Sequence, residues 1–291
     1  MRITKIEIKD FRAFRGEYCI DLHSAGHNLL LYGENGSGKS SLFQALNLFF
    51  APPSSFSNHK NIFVNTDDGY VKLEIGNDSR SADVYEWAEE SHPFSESLIV
   101  EASKAKGFLD YRALLETHYI HRDAEQINIF NLLVNTLLSP ILNPITKTAF
   151  PEELQGIQHV AASRKSRTRT EQLEQLLPDF NAGLISVLGD LSAKANELLA
   201  AFEQSVTIEL SLPDGGINID DERKSITNQI VSLTVCYYGR PVTRHHHFLN
   251  EARLSAIAIS IYLGALLLIP SAQLRVLFLD DVLIGLDLVA P

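Results

Sequence analysis

Ile3, Ile6 and Ile8 alternate with polar residues from Arg2 to Lys9. That spacing predicts a strand with one buried face. Glu17 to Leu22 reads as a second strand after a turn at Gly16. Asn28 to Tyr32 is a short unbroken apolar run, the pattern of a strand buried on both faces. A glycine-rich stretch, Gly33 to Ser40, separates it from Ser41 to Phe50, which has helical spacing and stops before Pro52 and Pro53. Residues 54–68 read as loop, and Tyr70 to Ile75 and Ala82 to Trp87 as two more strands. The pattern is then helical from Glu96 to Leu142, with an amphipathic run at Asn128 to Leu138. Ala161 to Thr170 is basic and polar and predicts an exposed loop, and Glu171 to Gln204 predicts a helix interrupted near Pro178. Strands return at Val206 to Leu212 and Ile230 to Tyr238, with a turn at Asp214 to Gly216 between them. A long helix from about Asn250 to Ile269 precedes a last apolar strand, Arg275 to Leu279.

Composition narrows the class. The chain has 291 residues, 45% of them hydrophobic and 21% charged, which excludes a mainly disordered protein. Its net charge of −11 argues against a broadly cationic nucleic-acid binder, so any such contact must be local. Cys19 and Cys236 are the two cysteines, too few for a disulfide scaffold or a cysteine zinc site. The N-terminus lacks the apolar core of a signal peptide. The apolar run Leu254 to Pro270 falls short of the ~20 residues a span needs and reads as a buried core helix. The expectation is a cytoplasmic protein with no membrane contact.

The chemistry starts at Gly33. Gly33-Glu-Asn-Gly-Ser-Gly-Lys-Ser40 fits GxxxxGK[ST] in full. Glycines let the backbone curl so that successive N–H groups face phosphate oxygens, and the following helix adds its positive N-terminal end. Gly33, Glu34, Asn35, Gly36, Ser37, Gly38, Lys39, Ser40 and Ser41 are therefore candidate ATP-binding residues. Lys39 would reach the β- and γ-phosphates and Ser40 would ligate Mg²⁺. The strand ending in Asp280 and Asp281 supplies carboxylates: Asp280 to hold Mg²⁺, and Asp281 to orient or deprotonate the attacking water.

Together, the loop GENGSGKSS, the N-terminal strand with Phe11-Arg-Ala-Phe-Arg15, and the distant LFLDD strand resemble the RecF, SbcC and SMC head ATPases. The resemblance implies an α/β P-loop NTPase with a mixed sheet and an inserted helical lobe with short arms. The expected division is 1–95 for an N-terminal lobe, 96–205 for the inserted helical lobe and 206–291 for a C-terminal lobe. It further implies that Phe248 to Ser255 is the signature stretch, with Asn250 where a serine is usual, offered to a γ-phosphate. Val282 to Asp287 resembles the D-loop. Gln126 matches the place of the glutamine that senses Mg²⁺, and an ordinary surface glutamine fits as well.

ATP and Mg²⁺ are the implied cofactors, and an ATP-dependent homodimer the implied assembly. Asp281 is one methylene shorter than glutamate, which suggests slow hydrolysis. Relatives carry a switch histidine after the D-loop, whereas here the sequence stops four residues beyond Asp287. The expectation is a truncated head whose efficient hydrolysis is in doubt.

Arg164-Lys-Ser-Arg-Thr-Arg169 could track a nucleic-acid backbone or be a solvated loop, and Arg12 and Arg15 are better placed for DNA if the resemblance holds. His245 to His247 lack a ligand cluster and are not expected to bind metal. Two functions compete: an ATPase acting on DNA in double-strand break repair or genome defence, and a regulatory ATP-binding subunit that gates a partner nuclease. An inactive remnant is a third possibility.

Overall fold

The computed structural model describes residues 1–34, 36–77, 80–110, 128–202, 204–243, 248–269, 272–280 and 282. By packing, the chain forms two units: Met1–Phe108 with Ser271–Asp280, and Leu109–Pro270 with Asp281–Pro291.

The first unit is built on an antiparallel sheet of β1 (Arg2–Lys9), β2 (Glu17–Asp21), β3 (Tyr70–Asn77) and β4 (Arg80–Ala88), in the order β2-β1-β3-β4. The period-2 pattern explains its two faces. Ile6, Ile8, Val71, Leu73 and Ile75 point into the core with Trp87. The opposite face carries charge, with Lys5 paired to Glu74 at 3.4 Å and Lys72 to Glu86 at 3.1 Å. Helix α1 (Lys39–Phe49) buries Leu42, Leu46 and Phe49 in the same core. Helix α2 (Ser97–Lys104) adds Leu98, Ile99 and Ala102. Two short strands, β5 (Gly107–Asp110) and β11 (Leu277–Asp280), pair with each other.

In the second unit, α3 (Phe150–Ala162) and α5 (Glu251–Leu268) pack against the long helix α4 (Arg167–Phe202). A three-stranded antiparallel sheet, β6 (Val206–Ser211), β9 (Ser232–Tyr237) and β10 (Arg240–Pro241), has the order β10-β9-β6. The strands β7 (Asn218–Asp220) and β8 (Ser225–Thr227) form a hairpin. Polar residues of α4 clasp backbone that would otherwise lack partners. The Asn196 amide donates to Ile208 O and accepts from Ile208 N, each at 2.8 Å. Asn181 does the same for Ile217 at 3.1 and 3.0 Å. Covering a strand edge in this way satisfies it and blocks stray pairing.

Helix α5 is long and apolar enough to cross a membrane, but 61% of it is buried inside the fold. Close approach to α4 explains why it is apolar all round. A Cβ on Gly264 would sit 3.2 Å from Ala195 N, so glycine lets the two backbones meet.

Three expectations are corrected. Asn28 to Tyr32 is irregular, with Leu30 93% and Tyr32 101% exposed. An apolar run becomes a buried strand only with neighbours on both sides, and no strand among the described residues pairs with it. The helical reading of Glu96 to Leu142 is interrupted: α2 ends at Lys104 and β5 follows, because Phe108 stacks on Phe278 at 4.5 Å beside β11. Of the amphipathic run, a turn of helix at Phe130–Leu132 continues as a wider turn at Leu133–Leu137. The basic loop shrinks to Ser163–Ser166, because α4 begins at Arg167 and runs through Pro178 without a break.

Candidate functional site

The phosphate loop is shaped by its glycines and closed by its lysine. Gly38 has φ +96°, a left-handed conformation that disfavours any side chain, and it stands at the N-terminus of α1. A Cβ on Gly33 would meet Ser37 Oγ at 2.8 Å, so the two sides of the loop approach closely there. Ser37 N donates to Glu34 O at 3.2 Å, and Leu42 N makes an early helical bond to Gly38 O at 3.0 Å. The Lys39 ammonium folds over the loop and donates to Gly33 O at 2.8 Å and to Glu34 O at 3.1 Å.

No side chain caps α1 and no acidic residue occupies its first turn. The first N–H groups of a helix have no partner inside the helix. The start of α1 therefore presents backbone donors, the helix dipole and the Lys39 charge to any anion that approaches it.

The segment Phe11 to Arg15 buttresses this loop. The Phe14 ring lies 3.6 Å and the Ala13 Cβ 3.7 Å from where a Cβ on Gly38 would be. Buried Asp10 accepts from Gly16 N at 2.7 Å. Arg12 N donates to His59 O at 2.9 Å, and the buried Asn61 amide donates to Arg12 O at 2.6 Å. Arg12 and Arg15 are exposed.

At the other end of α1, Lys106 Nζ donates to Phe50 O at 2.8 Å. A cation at a helix C-terminus is favourable. Burial nonetheless pushes its ammonium down to about 8. No sequence pattern marks Lys106 or Asn61, whose partners come from distant segments, nor Asp10, which closes a local turn to Gly16.

Phe108 joins α1 to the strand that ends in Asp280. Its ring centroid is 5.4 Å from Phe43 and 4.5 Å from Phe278. The helix that opens with Lys39 and Ser40 thus packs against β11 within one unit. Ser40 is exposed and offers a hydroxyl; Asp280 is half-buried and offers a carboxylate. These are hard oxygen donors, the kind Mg²⁺ takes alongside nucleotide phosphates. Among the described residues no three His, Cys, Asp or Glu cluster as a metal site.

Asn250 lies in the second unit and caps α5: its side-chain oxygen accepts from Arg253 N at 3.1 Å. The amide donor of the same side chain is the group that could serve a phosphate. Asn35, Gln126, Asp281 and Asp287 lie outside the described residues.

Three of the four cations at 164–169 form ion pairs, two of them with the same carboxylate. Lys165 pairs with Asp221 at 2.9 Å and Arg167 with Glu171 at 2.7 Å. Arg169 is buried and bonds both Asp221, at 2.8 Å, and Ala161 O.

Residues 1–110 match the family model of the AAA ATPase domain. Over 98% of its length the chain resembles the Smc head domain from Pyrococcus furiosus, solved with an extended coiled coil and bound to the C-terminal domain of ScpA. The two are 12% identical with a TM-score of 0.54, and 83% of the Smc chain is covered. A second Smc head, bound to the C-winged helix domain of ScpA, aligns at 12% identity and TM-score 0.49 over 99% of this chain and 82% of that one. No curated protein matches the sequence. The chain thus has the α/β P-loop fold of the Smc head domain.

Proposed function

We propose that the chain is an ATP-binding head that hydrolyses ATP slowly, closes into a homodimer when ATP and Mg²⁺ are bound, and acts in DNA double-strand break repair or genome defence in the cytoplasm. The observation that carries this reading is the complete phosphate loop at the start of α1, with Lys39 drawn across it.

In this reading Gly33 to Ser41 hold the phosphates through backbone N–H groups, and Lys39 neutralises the β- and γ-phosphates. Ser40 and Asp280 would hold Mg²⁺, which would stabilise charge on the transferred phosphoryl group. Asp281 would orient or deprotonate the attacking water, with Gln126 as a sensor of the metal. Asn250 would donate to the γ-phosphate of a second copy, so that the phosphate joins two heads and its loss releases them.

A second reading has support of its own. The net charge of −11 and the internally paired cations at 165–169 favour a regulatory subunit that gates a partner, such as a nuclease, without gripping DNA through that run.

Phosphate release from ATP, with and without DNA, tests the proposal. The expected result is turnover below about 1 s⁻¹ that disappears in Lys39→Ala. DNA stimulation supports the first reading, and its absence the second. A wild-type protein that binds no ATP by calorimetry would contradict both.

A further inference from the structure

Strands β9 and β10 turn back through Tyr238 and Gly239, because Tyr237 and Arg240 are partners in register. Tyr238 has φ +49° and Gly239 φ +72°. A two-residue turn with both φ positive suits Asn, Asp or Gly, and a bulky side chain there is strained. The sequence nevertheless places a tyrosine at the tip, and 74% of it is exposed.

Its ring belongs to a cluster. The Tyr238 centroid is 4.6 Å from that of half-buried Tyr237. Phe248, 60% exposed, packs on Tyr237 at 5.6 Å. Tyr237 is thus a hub with two outward-facing rings.

Cations flank them. The Arg253 guanidinium sits 5.0 Å from the Tyr237 ring. Arg240 is exposed and makes no ion pair among the described residues. Among the described residues from Tyr237 to Arg253 these two arginines stand against one carboxylate, Glu251, in a chain whose net charge is −11.

Exposed rings interleaved with arginines match the needs of a flexible single strand: flat surfaces for unpaired bases and positive charge for its phosphates. We infer that the Tyr238–Phe248 surface binds single-stranded nucleic acid, with bases stacking on these two rings and Arg240 and Arg253 facing the backbone. This deepens the DNA branch of the proposed function and does not require the nucleotide site to work.

The test is fluorescence anisotropy with a labelled 20-nucleotide oligo-dT, an oligo-rU of the same length and a 20-base-pair duplex, all without ATP. Tyr238→Asn keeps a turn-compatible residue and removes the ring; Phe248→Ala removes the other. Each should weaken single-strand binding about 5- to 150-fold, the range for loss of one base–aromatic stack. Tyr238→Trp should retain binding, and the dT and rU arms tell DNA from RNA.

Equal affinity for the duplex, or unchanged binding in both ring-deleted variants, would overturn the inference. So would a Tyr238→Asn protein that loses ATP-dependent dimerisation yet binds the strand normally, since the patch would then be a protein contact. A fluorescent ATP analogue, added separately, shows whether the nucleotide reading stands or falls on its own.

Discussion

Lys39 Nζ donates to the carbonyl of Gly33 at 2.8 Å, tying the helical end of the phosphate loop back to its first residue. The lysine therefore helps shape the loop as well as charging it. A γ-phosphate would compete with Gly33 and Glu34 for the same ammonium. Lys39→Ala should weaken ATP binding about 100-fold or more, from the loss of charge-assisted bonds. Titration with a fluorescent ATP analogue reads this directly, and undiminished binding would remove Lys39 from the site.

Gly38 should be sensitive for a reason of backbone rather than space. An added methyl would lie 3.6 Å from Phe14, an ordinary contact, but the residue would keep φ +96°. Gly38→Ala should cost about 1–2 kcal/mol through the left-handed backbone, seen as a lower melting temperature and weaker nucleotide binding. A variant with unchanged melting and binding would show that the loop relaxes freely.

The second unit holds a buried polar network whose failure is distinct. Asn143 is fully buried and donates to Glu153 Oε2 at 2.8 Å. A Cβ on Gly183 would come within 1.9 Å of Asn143 Oδ1. Gly183→Ala should therefore destabilise the protein by about 2–4 kcal/mol, measured by urea denaturation.

Burial raises the Glu153 carboxyl above its ordinary value of 4.5, with the nearby Asp179 charge acting in the same direction. The folded state then holds this proton longer than the unfolded chain does. Its contribution to stability is full below about 4.5 and is lost as pH rises through the raised value. Glu153→Gln should flatten that part of the curve of urea midpoint against pH. An unchanged slope would mean that the carboxyl titrates normally.

Lys106 has the opposite sign. Burial lowers its ammonium from 10.5 to about 8, so the unfolded chain binds the proton more tightly. Stability from this group should rise as pH climbs from about 8 towards 10.5. Lys106→Met should remove that rise, read from melting temperatures across the same range. It should also loosen the end of α1, where Lys106 now bonds Phe50 O.

The sequence was most legible where a pattern is local. β3 follows strict alternation, α1 stops short of Pro52, and Asn250 caps α5 as its side chain suggests. Local pattern failed where a distant partner decides. Asn28 to Tyr32 has the composition of a core strand, yet no neighbour among the described residues pairs with it. Phe108 reads as helical until its stacking with Phe43 and Phe278 is known. The sequence leaves the basic run open between a backbone-tracking segment and a solvated loop, because Asp221, which pairs with Lys165 and Arg169, lies over fifty residues on. At the candidate site, the glycines and Lys39 were readable from the motif alone. The support from Phe14, Asp10 and Asn61 was hidden, since it depends on turns that bring three segments together.

An ATP-driven head should change mass with nucleotide, which light scattering on a sizing column reads. The wild-type protein and Lys39→Ala would be run with ATP and Mg²⁺ and without them. The expected result is a wild-type shift from monomer to dimer that needs both ATP and Mg²⁺, with Lys39→Ala remaining monomeric. A wild-type protein whose mass is the same in every condition, although ATP is bound, would contradict it.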